Sequence, residues 1–291
     1  GRVCGSGGGR SRGRGMRSTL AVCRRELSSF FTTPVGYVIL GTFTAISGLA
    51  FALTFIQFCR ISVSPADHGY EGVPNLEELM ISPYLVFCGQ LIMFIGPLIT
   101  MRLLAEERSR GTMELLLTYP LRDREIIFGK YFAALGIVLS MMLVVGVHMS
   151  IVGYYTDVEP VVLWFGMFAL FLMSAAFMSL GLFVSALART PVTAGVLTFA
   201  LWFISYVLGT YGKDLPEHLN SPVAWGAPVA RAIEFFWDIF RKLVIELPLD
   251  RHCEQMAQGI VRPEDIAYYV LFVAFFLFLT FRALESRQWR A

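Results

Sequence analysis

Residues 131–155 decide the fold, and they read YFAALGIVLSMMLVVGVHMSIVGYY. The one side chain in this stretch that changes its charge near neutral pH is His148. A helix that crosses a bilayer needs about 20 mostly apolar residues. The stretch supplies that length without interruption and is therefore predicted to span a membrane.

Five further stretches have the same apolar character. The six predicted spans are residues 35–58, 84–101, 131–155, 161–188, 192–211 and 266–281. Over the whole chain 56% of residues are hydrophobic and 16% are charged, whereas soluble domains average about 25% charged residues. The mean hydropathy is +0.62. The sequence therefore predicts an all-α polytopic membrane protein with six transmembrane helices.

The orientation follows from lysine and arginine, which accumulate in the short cytoplasmic loops of membrane proteins. Basic residues precede the first span and occupy the loop between spans two and three, the turn between spans four and five, and the C-terminal tail. They are Arg17, Arg24, Arg25, Arg102, Arg108, Arg110, Arg122, Arg124, Lys130, Arg189, Arg282, Arg287 and Arg290. The loops on the opposite side carry Arg60 against Asp67, Glu71, Glu77, Glu78, Asp157 and Glu159. Both termini are therefore predicted to be cytoplasmic.

Two amphipathic helices are predicted outside the spans. An N-terminal interfacial elbow helix has Leu20, Cys23, Leu27, Phe30 and Phe31 on its apolar face and Arg24, Arg25 and Glu26 on the other. Pro34 then starts span one, at a position where its missing N–H costs little. Between spans five and six, residues 229–245 predict an outer amphipathic helix with Ile233, Phe236, Phe240 and Val244 on one face.

Residues 1–15 differ from the rest of the chain. They are rich in glycine, arginine and serine and precede the first methionine, Met16. They are predicted to be a disordered leader or a non-native extension, and residues 16–291 to form the transmembrane domain.

The loop between spans two and three is the most informative segment. Residues 101–120, MRLLAEERSRGTMELLLTYP, indicate a charged helix that leaves the membrane, breaks at Gly111 and continues as a short amphipathic helix that stops before Pro120. A soluble partner can grip such a surface, because the charges fix the register and the leucines fill a groove. The candidate coupling residues are Glu106, Glu107, Arg108, Arg110, Gly111, Thr112, Glu114, Leu115, Leu116 and Pro120.

This loop resembles the signature of ABC-2-type permeases, in which it forms the coupling helix. Residues 24–37, RRELSSFFTTPVGY, resemble the elbow helix and first span of that family. Residues 278–289, FLTFRALESRQW, resemble the closing segment of the branch of gliding-motility permeases and of the permease for nitrous-oxide-reductase maturation. Residues 250–259, DRHCEQMAQG, depart from the more aromatic version of that branch and indicate no substrate.

The resemblance implies a homodimeric permease of the bacterial inner membrane, driven by a separate cytoplasmic ABC ATPase dimer that binds ATP and magnesium. It adds an extracytoplasmic auxiliary subunit to the expected partners. No ATP site, cofactor or metal is expected in this chain, because Gly129-Lys130 is followed by Tyr131 and Arg124 stands where a P-loop needs glycine. The net charge of +2 is small and says little about a nucleic-acid partner, and none is expected for a permease. The few polar groups in the spans favour an apolar, amphipathic or bulky cargo, or mechanical work, over a small ion.

Two alternatives come from other functional classes. One is an intramembrane hydrolase of the CAAX-protease type with Glu106 and Glu107 as catalytic carboxylates, although Arg108 and Arg110 stand at the wrong spacing for that pattern. The other is a membrane scaffold that transports nothing.

A few residues are candidates for a gate or for a polar role inside the membrane. They are Gln90, Pro97, His148, Phe236 and Phe240. Ionisable residues within spans are functional candidates by default, but the favoured interpretation of His148 is a neutral histidine hydrogen-bonded between helices. Pro97 predicts a kink in span two, and the outer aromatic helix is either a gate or an interfacial lid. A disulfide between Cys59 and Cys88 is conceivable.

Overall fold

A computed structural model of the chain describes residues 8–69, 75–109, 111, 123–156, 159–211, 216, 227–246, 248–259 and 262–288. Within these ranges there is no strand, and six helices are long and apolar enough to cross a membrane. The spans are Pro34–Val63, Ser82–Thr100, Asp123–Tyr155, Pro160–Leu187, Pro191–Tyr211 and Pro263–Gln288. The predicted six-span, all-α architecture is confirmed.

Four of the six spans begin on a proline: Pro34, Pro160, Pro191 and Pro263. Proline suits the first turn of a helix, because its backbone angle is already helical and no hydrogen bond is required there. The prolines therefore place these helix starts slightly before the apolar stretches begin, and Pro34 starts span one as predicted.

Four shorter helices complete the architecture. They are the elbow helix Gly8–Thr32, the entry helix Ala105–Ser109, the outer helix Ala227–Glu246 and the short outer helix Leu249–Ala257. The elbow helix begins at Gly8, within residues 1–15, which the sequence predicted to be a disordered leader or a non-native extension. Extending an existing helix costs far less than nucleating one, so the helix formed by the residues after Met16 extends towards the N-terminus as far as Gly8.

Spans two, three and four form the packed centre of the bundle, and spans one, five and six are the least buried. Tyr84, Met141 and Phe177 are among the buried side chains. Large apolar side chains such as Leu143 and Leu271 are exposed on the outside of the bundle. An apolar exterior of this kind is what a helix bundle presents to lipid.

The two ends of the bundle carry different helices. The elbow helix and the entry helix lie at the end predicted to be cytoplasmic, which we call the inner end. At the opposite, outer end, the short outer helix packs on spans two and four, with Cys253 and Met256 fully buried. Cys59 is exposed, Cys88 is buried and both thiols are free, so the conceivable disulfide between them is not formed.

Candidate coupling site

The elbow helix packs tightly against the start of span three, and two glycines permit the approach. A Cβ atom at Gly129 would lie 2.8 Å from the Val22 side chain, and one at Gly136 would lie 2.9 Å from Leu27. Such distances are shorter than a carbon–carbon contact allows, so a larger side chain at either glycine would push the two helices apart. The elbow helix is thereby fixed against span three.

A cluster of four charges lies at this contact. Lys130, in the first turns of span three, is 1% exposed. Its Nζ lies 3.2 Å from Oε1 of Glu26 and 2.9 Å from Oε1 of Glu107. Arg25 contacts the same two oxygens, at 2.8 Å from Glu26 and 3.2 Å from Glu107. We call Arg25, Glu26, Glu107 and Lys130 the charge cluster.

The charge cluster joins three separate segments of the chain: the elbow helix, the entry helix and span three. Two positive and two negative side chains give it a net charge of zero. A buried ammonium is costly unless it is paired and hydrogen-bonded, and Lys130 has two carboxylates within reach. Moving Glu26 of the elbow helix or Glu107 of the entry helix away from Lys130 would therefore leave the buried ammonium with fewer partners.

The electrostatics of the cluster affect the pKa of Glu26. Burial alone would raise this pKa, but the Lys130 ammonium and the Arg25 guanidinium hold it below its ordinary value. The hydrogen bond to Glu26 in turn raises the pKa of Arg25. Both shifts favour the charged forms of Glu26 and Arg25, as their ion pair requires.

The entry helix is also attached to span four on its other side. The backbone N–H groups of Leu104 and Ala105 donate to Oγ of Ser185, at 3.2 and 3.1 Å. Arg108 donates from Nη1 to the carbonyl oxygen of Ala188, at 3.0 Å. Ser185 therefore satisfies N–H groups at the start of a helix that lack a partner within it, and Arg108 satisfies a carbonyl at the end of span four.

The predicted coupling residues fall into two groups. Glu106 pairs with Arg102 at 3.3 Å, one helical turn earlier, whereas Glu107 points into the charge cluster. The predicted break at Gly111 is confirmed, since the helix ends at Ser109 and Gly111 has a φ of +67°. Some predicted coupling residues lie outside the described residues. These are Arg110, Thr112, Glu114, Leu115, Leu116 and Pro120.

Only part of the predicted elbow set joins the site. Arg25 and Glu26 belong to the charge cluster, while Arg24 is exposed. Phe30 and Phe31 contact each other edge to face, with ring centroids 5.6 Å apart. The sequence therefore predicted the elbow helix and its charged residues, and two of them, Arg25 and Glu26, form ion pairs with the other segments.

His148 makes the interhelical hydrogen bond that the sequence predicted. Its Nδ1 lies 2.6 Å from the hydroxyl oxygen of Tyr84 on span two, and its ring stacks on Phe51 of span one, with centroids 4.8 Å apart. The histidine thus ties three spans together in the outer half of the bundle. This arrangement accounts for a polar residue inside the membrane by structural contacts.

The remaining gate candidates do not converge on one place. Pro97 is buried within the span two helix, Ser82–Thr100, and Gln90 is half-buried on the same helix. Phe236 and Phe240 on the outer helix are 70% and 50% exposed. The aromatic face of the outer helix is therefore not covered by the described part of this chain.

Sequence reasoning missed three residues that organise these contacts: Lys130, Ser185 and Tyr84. Lys130 was counted only as a basic residue of a cytoplasmic loop. A lysine directly before a long apolar run is as typical of a side chain that extends to the membrane surface as of a buried, paired one. The pattern around Lys130 therefore did not indicate its burial. Ser185 and Tyr84 gave no signal beyond ordinary hydroxyl groups within spans.

The carboxylates of Glu106 and Glu107 diverge rather than converge. One contacts Arg102 and the other contacts Lys130 and Arg25. Among the described residues, no group of three or more His, Cys, Asp or Glu side chains is placed to hold a metal ion. This arrangement fits a structural coupling role for the glutamate pair better than the catalytic role considered for it.

Comparisons with known proteins agree with the resemblance seen in the loop between spans two and three. The family model described as ABC-2 family transporter protein matches residues 20–223. The chain is also 30% identical, over 164 residues, to a protein from Pseudomonas aeruginosa named "Probable ABC transporter permease protein NosY". That match covers 53% of this chain and 59% of the relative. The family match includes the C-terminal part of the elbow helix, the entry helix and spans one to five. The chain belongs to the ABC-2 family of transporter proteins.

Proposed function

We propose that this chain is the membrane-spanning permease subunit of an ATP-driven ABC-2 transporter, and that the charge cluster transmits the motion of a separate ATPase. The observation that carries the proposal is the buried Lys130, which binds Glu107 of the entry helix and Glu26 of the elbow helix at once. A partner that grips the loop after Ser109 would pull on Glu107 first. The buried ion pairs would pass that displacement to the elbow helix and span three together.

The assembly that this mechanism requires has two copies of the permease and two of the ATPase in a bacterial inner membrane. ATP and magnesium are held by the ATPase, and an auxiliary extracytoplasmic subunit joins the complex. The family membership supports an ATPase partner, and the charge cluster lies at the end predicted to be cytoplasmic, where such a partner would dock. The substrate is expected to be apolar, amphipathic or bulky, because few polar side chains line the spans.

Docking is tested by purifying the tagged chain in mild detergent from its own organism. The expected result is recovery of an ABC ATPase in equal amount with the permease. Recovery of the permease without any nucleotide-binding subunit contradicts the proposal.

Coupling is tested by a neutral substitution in the charge cluster. Glu107→Gln keeps the size of the side chain but removes the charge that Lys130 and Arg25 share. In nanodiscs, we expect this variant to bind the ATPase normally and to lose most of the stimulation that the permease exerts on ATP hydrolysis. The matched control is Glu285→Gln, since Glu285 is an exposed glutamate near the same end of the bundle, paired with Arg282 at 3.0 Å.

Two outcomes of the stimulation assay would contradict the proposed role of Glu107. Equal loss in both variants would mean that any carboxylate near the inner surface matters, and equal stimulation in both would remove Glu107 from the coupling path. A thermal unfolding curve of each variant shows that the compared samples are folded.

A further inference from the structure

A cavity of about 250 Å³ lies at the inner end, between the elbow helix, the start of span one, the end of span two and span three. One part of its wall is apolar and another part is charged. Ile39, Ile99 and Ile137 form an apolar part, while Arg102, Glu106 and Glu26 bring charges of both signs to it. The cavity is thus amphipathic, with apolar and ionic walls in contact with each other.

The cavity lies between the ends of two spans, and this position indicates its depth in the membrane. Span two ends at Thr100 and span one begins at Pro34, so the cavity lies where the chain crosses between hydrocarbon and water. Phospholipid headgroups occupy this level, just outside an apolar layer of about 30 Å. Arg102 follows the end of span two by two residues and is 39% exposed.

The charges at the cavity favour one kind of headgroup. Nε of Arg102 lies 3.3 Å from Oε2 of Glu106, so a cationic and an anionic group stand side by side. A guanidinium binds a phosphate through paired N–H groups, and a carboxylate accepts hydrogen bonds from a primary ammonium. Glu26 is already paired with Lys130 and Arg25 in the charge cluster. Arg102 and Glu106 then leave the walls with one charge of each sign, which suits a zwitterionic headgroup better than an anionic one.

We infer that this cavity binds the headgroup of a phospholipid with a phosphate and a primary ammonium, namely phosphatidylethanolamine of the inner leaflet. Arg102 contacts the phosphate, Glu106 accepts from the ammonium, and Ile39, Ile99 and Ile137 face the glycerol and the first acyl carbons. A trimethylammonium group cannot donate hydrogen bonds to Glu106, so phosphatidylcholine binds less well. The binding site stands on the cavity and its charges alone and does not depend on the proposed transport function.

The test is native mass spectrometry of the full chain in detergent, titrated separately with phosphatidylethanolamine, phosphatidylcholine and phosphatidylglycerol of identical acyl chains. We expect phosphatidylethanolamine to remain bound at one molecule per chain, with about tenfold higher affinity than the other two lipids. Arg102→Ala should weaken its binding by about tenfold. The matched control is Arg282→Ala, because Arg282 also pairs with a nearby glutamate on its own helix near the inner end.

The lipid titrations can overturn the proposed binding of phosphatidylethanolamine in three ways. Equal retention of the three lipids, preferential retention of phosphatidylglycerol, or unchanged binding in Arg102→Ala overturns it. Arg102→Lys keeps the positive charge but not the guanidinium fork, so it gives an intermediate affinity if the phosphate contact is correct. This second variant decides the question if Arg102→Ala does not fold.

Discussion

The charge cluster makes a quantitative prediction about the variant Lys130→Met, which removes the buried ammonium and keeps the volume of the side chain. Removing one partner of a buried ion pair costs about 3–5 kcal/mol, because the other charge stays buried. Two features lower the expected cost here. Glu26 and Glu107 keep 21% and 18% exposure, and Arg25 still contacts both carboxylates.

We therefore expect Lys130→Met to lower the free energy of unfolding by roughly 2–3 kcal/mol. For a chain of this size the midpoint of thermal unfolding falls by about 2–4 °C per kcal/mol, which gives a shift of about 4–12 °C. The measurement is gel filtration of detergent-solubilised protein after heating, followed by tryptophan fluorescence.

The matched control is Arg282→Met. Arg282 and Glu285 form an ion pair at 3.0 Å with side-chain exposures of 64% and 57%, and such exposed pairs contribute about 0–1 kcal/mol. The control should therefore melt within about 4 °C of the wild type. If Lys130→Met melts like this control, the reasoning about the charge cluster is refuted.

A second variant separates the loss of pairing from the loss of the lysine itself. In the triple variant Glu26→Gln, Glu107→Gln and Lys130→Met, no buried charge is left without its partner. The remaining member, Arg25, is 56% exposed and stays in contact with water. Replacing the buried members of an ionic group together is often neutral, so the triple variant should recover most of the lost stability. A triple variant that melts below Lys130→Met would show that the two glutamates stabilise the fold in some other way.

Three further predictions follow from the same structure. Gly129→Leu should lower the unfolding midpoint by several degrees, because even a Cβ there lies 2.8 Å from the elbow helix, whereas Gly41→Leu should change little since nothing lies within 4 Å of a Cβ there. Because the pKa of Glu26 is lower in the folded than in the unfolded chain, its stabilisation is complete above the ordinary value of 4.5 and is lost as the pH falls through the folded pKa. The melting temperature should thus drop on acidification below about pH 4.5, and Glu26→Gln should flatten that drop. In a cysteine-free background in intact cells, an impermeant maleimide should label Asp67→Cys and leave Arg189→Cys unlabelled; the opposite pattern would reverse the predicted topology.

The spans could be predicted from the sequence because lipid imposes a local requirement on each of them. A helix in hydrocarbon must be apolar along about 20 successive residues, and that signal needs no knowledge of the neighbouring helices. The ends of the helices were less predictable, because they depend on turn chemistry. Pro160 and Pro263, for example, start their helices just outside the apolar stretches.

The charge cluster could not be predicted in the same way, because its members are distant in sequence. Glu26 and Lys130 stand 104 positions apart, and each alone is typical of a membrane-surface charge. What brings them together is the close approach of the elbow helix and span three at Gly129, a packing contact without any periodic pattern. The sequence therefore indicated which segments carry the candidate coupling residues, and the three-dimensional contacts were needed to show that Arg25, Glu26 and Glu107 meet at Lys130.

The entry helix contains only five residues, Ala105–Ser109, and a helix of that length is not stable alone. Its position must come from its contacts: ion pairs of Glu107 with Arg25 and Lys130 on one side, and hydrogen bonds from its first turn to Ser185 on the other. A force applied to the loop after Ser109 cannot bend this helix without breaking a buried contact, so the lower-cost response is movement of the attached segments as one body. The elbow helix, the inner end of span three and the inner end of span four are those segments. On the proposed mechanism, a partner bound to this loop would therefore act first on the elbow helix and on the inner ends of spans three and four.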